Sequence, residues 1–171
     1  MRQLCLLVFV FFSILVQGNS LERLGRWDLI LVGESRLSFL FWDVYDASLY
    51  ASDGIYHPDK PFALSLRYLR DFSGSDIAER SIEEIRQQGL SDTLMLNLRR
   101  EQFKAIFLDV VAGDEIIGIH DPSEGASVFL NGALIGNIPN TTLSRRFFDI
   151  WLSEKTSEPE MRELLIGLNR K

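Results

Sequence analysis

The sequence predicts an α+β fold in which one antiparallel sheet is layered with helices. Three observations carry this. Strand-like apolar and aromatic segments crowd the chain up to Leu69, helical periodicity follows, then a hairpin signal, then helices again. Strands and helices are therefore grouped, unlike the alternating units of a parallel sheet. Asn131-Gly132, set between Ala126–Leu130 and Ala133–Ile138, is the strongest short hairpin signal, because both turn residues tolerate positive φ.

Trp27–Val32 reads as a short strand ended by Gly33. Arg36–Ala51 is a long β-rich stretch without Gly or Pro. Strict alternation puts Leu37, Phe39, Phe41, Asp43, Tyr45, Ala47 and Leu49 on one face. Neither face is wholly polar, so both are expected to touch protein, as in a central strand. Sixteen residues exceed a typical strand, which predicts a bend or bulge.

Ser52–Pro61 is a turn-rich loop and Phe62–Leu69 a third strand. A helix over Ser75–Gln88 follows, capped by Ser75 or Asp76, with Ile77, Ile82 and Ile85 as its buried stripe and Gly89 as its stop. The acidic run Glu79–Glu84 reads as that helix's solvated face. A second helix is expected over Asn97–Val110, with Leu98, Phe103, Ile106 and Phe107 inward. Asp114–His120 is a strand and Asp121–Gly125 a turn before the hairpin. Thr142 caps a helix through Trp151, and a last helix runs from Ser157 to Gly167 with Pro159 in its first turn and Leu164 and Leu165 within. Repeats, linkers and low-complexity segments are absent from the sequence.

The first twenty residues are a different material. Met1–Ser20 has a single charged side chain, Arg2, then an apolar run from Leu4 to Val16 and small residues after it. That is the layout of a secretory signal peptide. The rival reading is an uncleaved anchor, but this run is shorter than the roughly 18–20 residues that cross a bilayer. The organisation expected is a signal at 1–20 and one domain over 21–171, periplasmic or secreted, with no membrane span once the signal is removed. Losing Arg2 with the leader moves the net charge from −6 to −7 and removes the sole Cys, at position 5. An exported domain without thiols has no disulfide to lean on and looks more bacterial than animal. The sequon Asn140-Thr141-Thr142 is of a kind that arises often by chance.

The acidic balance argues against a nucleic-acid partner. His57 and His120 lack ligand spacing and read as surface histidines, so no metal is expected. Phosphate loops, dinucleotide fingerprints and nucleophile elbows are missing, and no cofactor is implied. What remains is the unusual strand, where Arg36, Asp43, Tyr45, Asp46 and Tyr50 interrupt an apolar segment. Carboxylates on long strands commonly find water. The functional option is a polar head at the mouth of an apolar cleft, with a Tyr hydroxyl and a guanidinium as donors. Arg36 and Tyr45 differ by an odd number and face opposite sides of a regular strand. Only a bulge joins them, and Arg67 and Arg70 are rival donors.

Val44–Tyr50 (VYDASLY), the run from Gly113-Asp114 through Gly125, Val128, Asn131-Gly132 and Gly136-Asn137-Ile138, and the closing Ile150-Trp151-Leu152-Ser153 together resemble the chalcone isomerase-like family, in an exported bacterial branch. The resemblance implies an open-faced antiparallel sheet layered with helices, with a cleft between them. In the catalytic members an Arg and a Thr on early strands act with a helix Tyr and Asn to close a flavanone ring. Here Tyr45 stands where that Thr is expected, and Ser75–Gln88 contains neither Tyr nor Asn. The fatty-acid-binding members hold a carboxylate with an Arg and a Tyr, to which Tyr45 and an offset Arg36 correspond. Two readings stand: a non-catalytic domain binding a small apolar ligand, with a carboxylate head as one option and Tyr45 and Arg36 as contacts, or an intramolecular lyase of the chalcone isomerase type using Tyr45.

Overall fold

The computed structural model describes residues 28–168. The expected signal at 1–20, with Cys5, and the start of the first expected strand at Trp27 lie outside the described residues. Six strands form one sheet in the order of the chain, every neighbour antiparallel: β1 (Leu29–Phe39), β2 (Trp42–Ser52), β3 (Phe62–Tyr68), β4 (Glu115–Asp121), β5 (Gly125–Leu130) and β6 (Ala133–Ile138). Among the described residues four helices join them. α1 (Gly74–Gln87) and α2 (Thr93–Ile106) lie between β3 and β4, and α3 (Thr141–Leu152) and α4 (Pro159–Leu165) follow β6.

The principal correction concerns Arg36–Ala51. It is not one bent strand but the inner part of a hairpin that turns at Leu40-Phe41, pairing Phe39 with Trp42 and Leu37 with Tyr45. Leu40 takes φ 55, a region that costs a branched side chain and normally calls for Gly or Asn, so the turn carries no compositional signature. Its tip is apolar and open, with Leu40 77% and Phe41 95% exposed. Gly33 likewise does not end a strand. β1 passes through it with a register shift between Leu31 and Gly33, and a Cβ there would lie 2.1 Å from the Leu164 carbonyl oxygen of α4. Glycine is what lets α4 sit on β1.

The remaining elements follow the expected order with shifted ends. Ser73 caps α1 by accepting from the Asp76 backbone N–H, and Asp92 caps α2 by accepting from Met95. Because α2 starts near Thr93, its inner face carries Leu96, Phe103 and Ile106, while Leu98 is exposed. Asn140 caps α3, its Oδ1 accepting from the Leu143 N–H at 2.8 Å. Asn131 and Gly132 make the β5–β6 turn at φ 48 and 85. In α4 Leu165 is fully buried and Leu164 is not.

The core lies between the sheet and the helices. Ala47, Leu49, Leu64, Leu66 and Val128 face Ile82, Ile85, Phe103, Phe147 and Phe148, and edge-on ring pairs such as Phe103–Phe147 at 5.5 Å join α2 to α3. A smaller cluster of Ala63, Ile117, Ile119 and Phe129 occupies the opposite face. His120 belongs to the interior, correcting its reading as a surface residue. It is 3% exposed, its Nδ1 is 2.8 Å from the Ser144 hydroxyl, and it stacks on Phe62 at 4.8 Å. Burial, then the Arg145 charge, lowers its pKa to about 4. His57 is exposed. Among the described residues no helix is long and apolar enough to cross a membrane.

Candidate functional site

A cleft of about 430 Å³ opens between the β2–β4 end of the sheet and the helices α1 and α3. Alternation on β2 and β3 sends Tyr45, Leu66 and Tyr68 toward the helices, and Ile116 of β4 completes this floor. Helical spacing on α1 brings Ile77, Ser81 and Glu84 to the opposite wall. α3 closes the end with Phe147, Ile150 and Trp151. Phe39 from the hairpin and the exposed Asp76, Arg80 and Glu158 form the rim. The size and mostly apolar wall fit a small-molecule site.

Tyr45 is the polar point of the floor. Its hydroxyl oxygen accepts from Trp151 Nε1 at 2.9 Å, joining β2 to α3, and its ring meets Tyr68 edge-on at 5.8 Å. Burial holds the phenol above its ordinary pKa; the Trp151 hydrogen bond opposes that, and the Glu158 and Glu84 charges add to it. Tyr68 is raised by burial and by its Tyr45 neighbour. Both phenols stay protonated at neutral pH, so they offer O–H donors and aromatic surface rather than a phenolate.

Arg36 is not brought to this cleft. It stands on the other face of the hairpin, its side chain 50% exposed, with Nε 2.6 Å from Asp46 Oδ1 and Nη1 3.0 Å from Asp43 Oδ2. Those two carboxylates hold its guanidinium firmly charged, Asp46 contributing more. Arg36 and Tyr45 lie on different strands of the hairpin, and the register shift between Leu37 and Ser38 sets Tyr45 beside Leu37 and Arg36 beside Asp46, on opposite sides of the sheet. The bulge separates the pair rather than joining it. The rival arginines are also occupied elsewhere: Arg67 pairs with Glu115, and Arg70 lies 4.2 Å over the Trp42 ring.

The cleft holds a residue that the sequence reading placed in solvent. In the acidic run of α1, Glu79 pairs with Arg100 and Lys104, and Glu83 with Arg86, as a solvated face should. Glu84 does not follow them. It is 4% exposed and lines the cleft. Its Oε1 forms an ion pair with Arg80, and Oε2 accepts no hydrogen bond. The available signal was its place seven residues after Ile77 and three after Ser81, on the same helical stripe.

Among the described residues no group of three His, Cys, Asp or Glu side chains could hold a metal ion. The helix wall offers no Tyr or Asn, since α1 contains neither. The arrangement can enclose an apolar molecule, donate from a phenol and meet it with a buried carboxylate.

A family model described as chalcone isomerase-like matches residues 20–167. No curated protein matches the sequence. Among solved structures, the crystal structure of a fatty-acid binding protein of Arabidopsis thaliana is similar, with a TM-score of 0.59 and 17% identity over 82% of this chain and 87% of that one. This likeness establishes the shared fold.

Proposed function

Because the chain belongs to the chalcone isomerase-like family, we propose that its cleft binds a small apolar ligand and performs no chemistry on it. The observation that carries this reading is the apolar cleft of about 430 Å³ closed at its inner end by the Tyr45–Trp151 hydrogen bond. The fatty-acid binding of a structural neighbour supports the same ligand class. Against an intramolecular lyase stand the missing helix Tyr and Asn and the distance of Arg36 from the cleft.

A ligand that binds the folded state alone raises the melting temperature, by more as its concentration exceeds the dissociation constant. Octyl-chain probes should raise it for the native chain and for Arg36→Ala, whose side chain lies on the other face. They should do so much less for Ser81→Phe, which fills the cleft. No rise with any apolar probe at saturating concentration would sink the proposal. Chalcone cyclisation by the native chain above the uncatalysed rate, abolished in Tyr45→Phe, would replace it with the lyase.

The Met1–Ser20 layout further supports an exported domain of a bacterial branch, located in the periplasm or outside the cell. Fractionation of the expressing cells, with the mature amino terminus sequenced, tests this. Full-length protein in the cytoplasm would refute it.

A further inference from the structure

The charge around the cleft does not suit a carboxylate ligand. Three carboxylates contribute to its lining, Asp76, Glu84 and Glu158, against one cation, Arg80. That cation is already ion-paired with Glu84 and its side chain is 66% exposed, so solvent and its partner limit what it could offer an anion inside. Glu84 is the opposite case. Its carboxylate is buried; Oε1 is ion-paired with Arg80, while Oε2 accepts no hydrogen bond. A buried carboxylate oxygen left without a donor is costly, which makes Oε2 the atom that calls for a partner. The negative field reaches the floor too, because Glu158 and Glu84 both disfavour ionisation of Tyr45, each by more than Arg80 opposes them. A second anion set beside that hydroxyl would meet the same repulsion.

The rest of the wall suits a cation. Tyr45, Tyr68, Phe147 and Trp151 present aromatic rings to the cleft, and ring faces attract ammonium groups, most strongly when desolvated. The Tyr45 oxygen, which already accepts from Trp151 Nε1, keeps a second lone pair for a further donor.

We propose that the cleft selects an apolar amine, whose ammonium head donates to the buried Oε2 of Glu84, beside the Arg80 ion pair, while its hydrocarbon body lies among the aromatic side chains. This rests on the ligand-binding reading above and names its ligand class. It departs from the carboxylate head that the family resemblance implies, because here the inner wall carries an acid and the arginine of the strand hairpin is turned away.

The test compares octylamine, octanol and octanoate at equal concentration, by thermal shift and by calorimetry, at pH 7 and low salt. The native chain should bind octylamine at least tenfold more tightly than octanoate, with octanol between them. Glu84→Gln, which keeps the shape and removes the charge, should weaken octylamine about tenfold or more and leave octanol within about twofold. Glu158→Gln, on the exposed rim, should weaken octylamine by a smaller factor and supplies a second variant should Glu84→Gln fail to fold. Octanoate bound as tightly as octylamine overturns the amine assignment while leaving the cleft a ligand site, as does an octylamine affinity indifferent to both variants. Failure of all three probes overturns the ligand-binding reading together with this one.

Discussion

His120 should make this domain acid-sensitive, by an amount that the structure sets. The ring is buried between Phe62 and Phe148, and its surroundings lower its pKa from 6.5 to about 4. The charges that reach it are Arg145, which lowers the pKa, and Asp121 and Asp59, which raise it by less than burial lowers it. A depressed histidine pKa means that the unfolded chain takes up a proton which the folded chain refuses. The contribution is therefore intact above pH 6.5 and is lost as the pH falls toward 4. Linkage between those two values gives a loss of about 2 kcal/mol by pH 5 and about 3 kcal/mol by pH 4, relative to pH 7. Carboxylates titrate over the lower part of the same range, so the measurement must be a difference. His120→Asn retains a hydrogen-bonding partner for the Ser144 hydroxyl but loses the ring contacts, so it should be the less stable protein at pH 7. Urea unfolding of both proteins from pH 7 to pH 4.5 should show the gap between them closing by about 2 kcal/mol by pH 5. A gap that stays constant across that range would refute the buried neutral histidine.

Leu40→Asn relieves a branched side chain at φ 55 that packs on little. It should stabilise the domain by about 1 kcal/mol, a rise of roughly 2–4 °C in melting temperature; a fall would show that the tip leucine is held by contacts. Gly33→Val places side-chain atoms where the Leu164 carbonyl sits, so it should cost at least about 3 kcal/mol and speed amide exchange in α4 ahead of the other helices. Uniform loss of protection, with α4 no faster, would count against that local cause. Tyr45→Phe leaves the buried Trp151 N–H without its acceptor, which should cost about 1–3 kcal/mol in denaturant unfolding and shift the indole N–H resonance. An unmoved resonance would mean that this hydrogen bond is not formed in solution.

The strand order was legible because it depends on local signals: β-branched and aromatic runs, the Asn131-Gly132 turn, and the glycine stop at Gly89, which indeed takes φ 107. The β1–β2 turn was not, because Leu40-Phe41 uses residues that local rules assign to strand interiors. Its fold is imposed by the pairing of the flanking segments, and no turn residue announces it. The helix starts drifted for a related reason. Ser73 and Ser75, or Asp92 and Asn97, are all plausible caps in sequence, and the tertiary contact that selects one is invisible there.

The cleft was half legible. Single-strand alternation separated Tyr45 from Arg36 for the wrong reason, since they lie on different strands. The register shift between Leu37 and Ser38 pairs Tyr45 with Leu37 and leaves Arg36 opposite Asp46 on the other face, with the arginine consumed by Asp43 and Asp46. Glu84 was misread because Glu79, Glu83 and Glu84 look equivalent along the chain. They differ only in angle around α1. A step of about 100° per residue takes Glu84 away from Glu83 and onto the stripe of Ile77 and Ser81, where its carboxylate is buried. The ligand preference turns on that one angular step. A cleft whose rim carried the same acids, with Glu84 turned to solvent, would have no buried acceptor to satisfy and no reason to prefer an ammonium head over a hydroxyl.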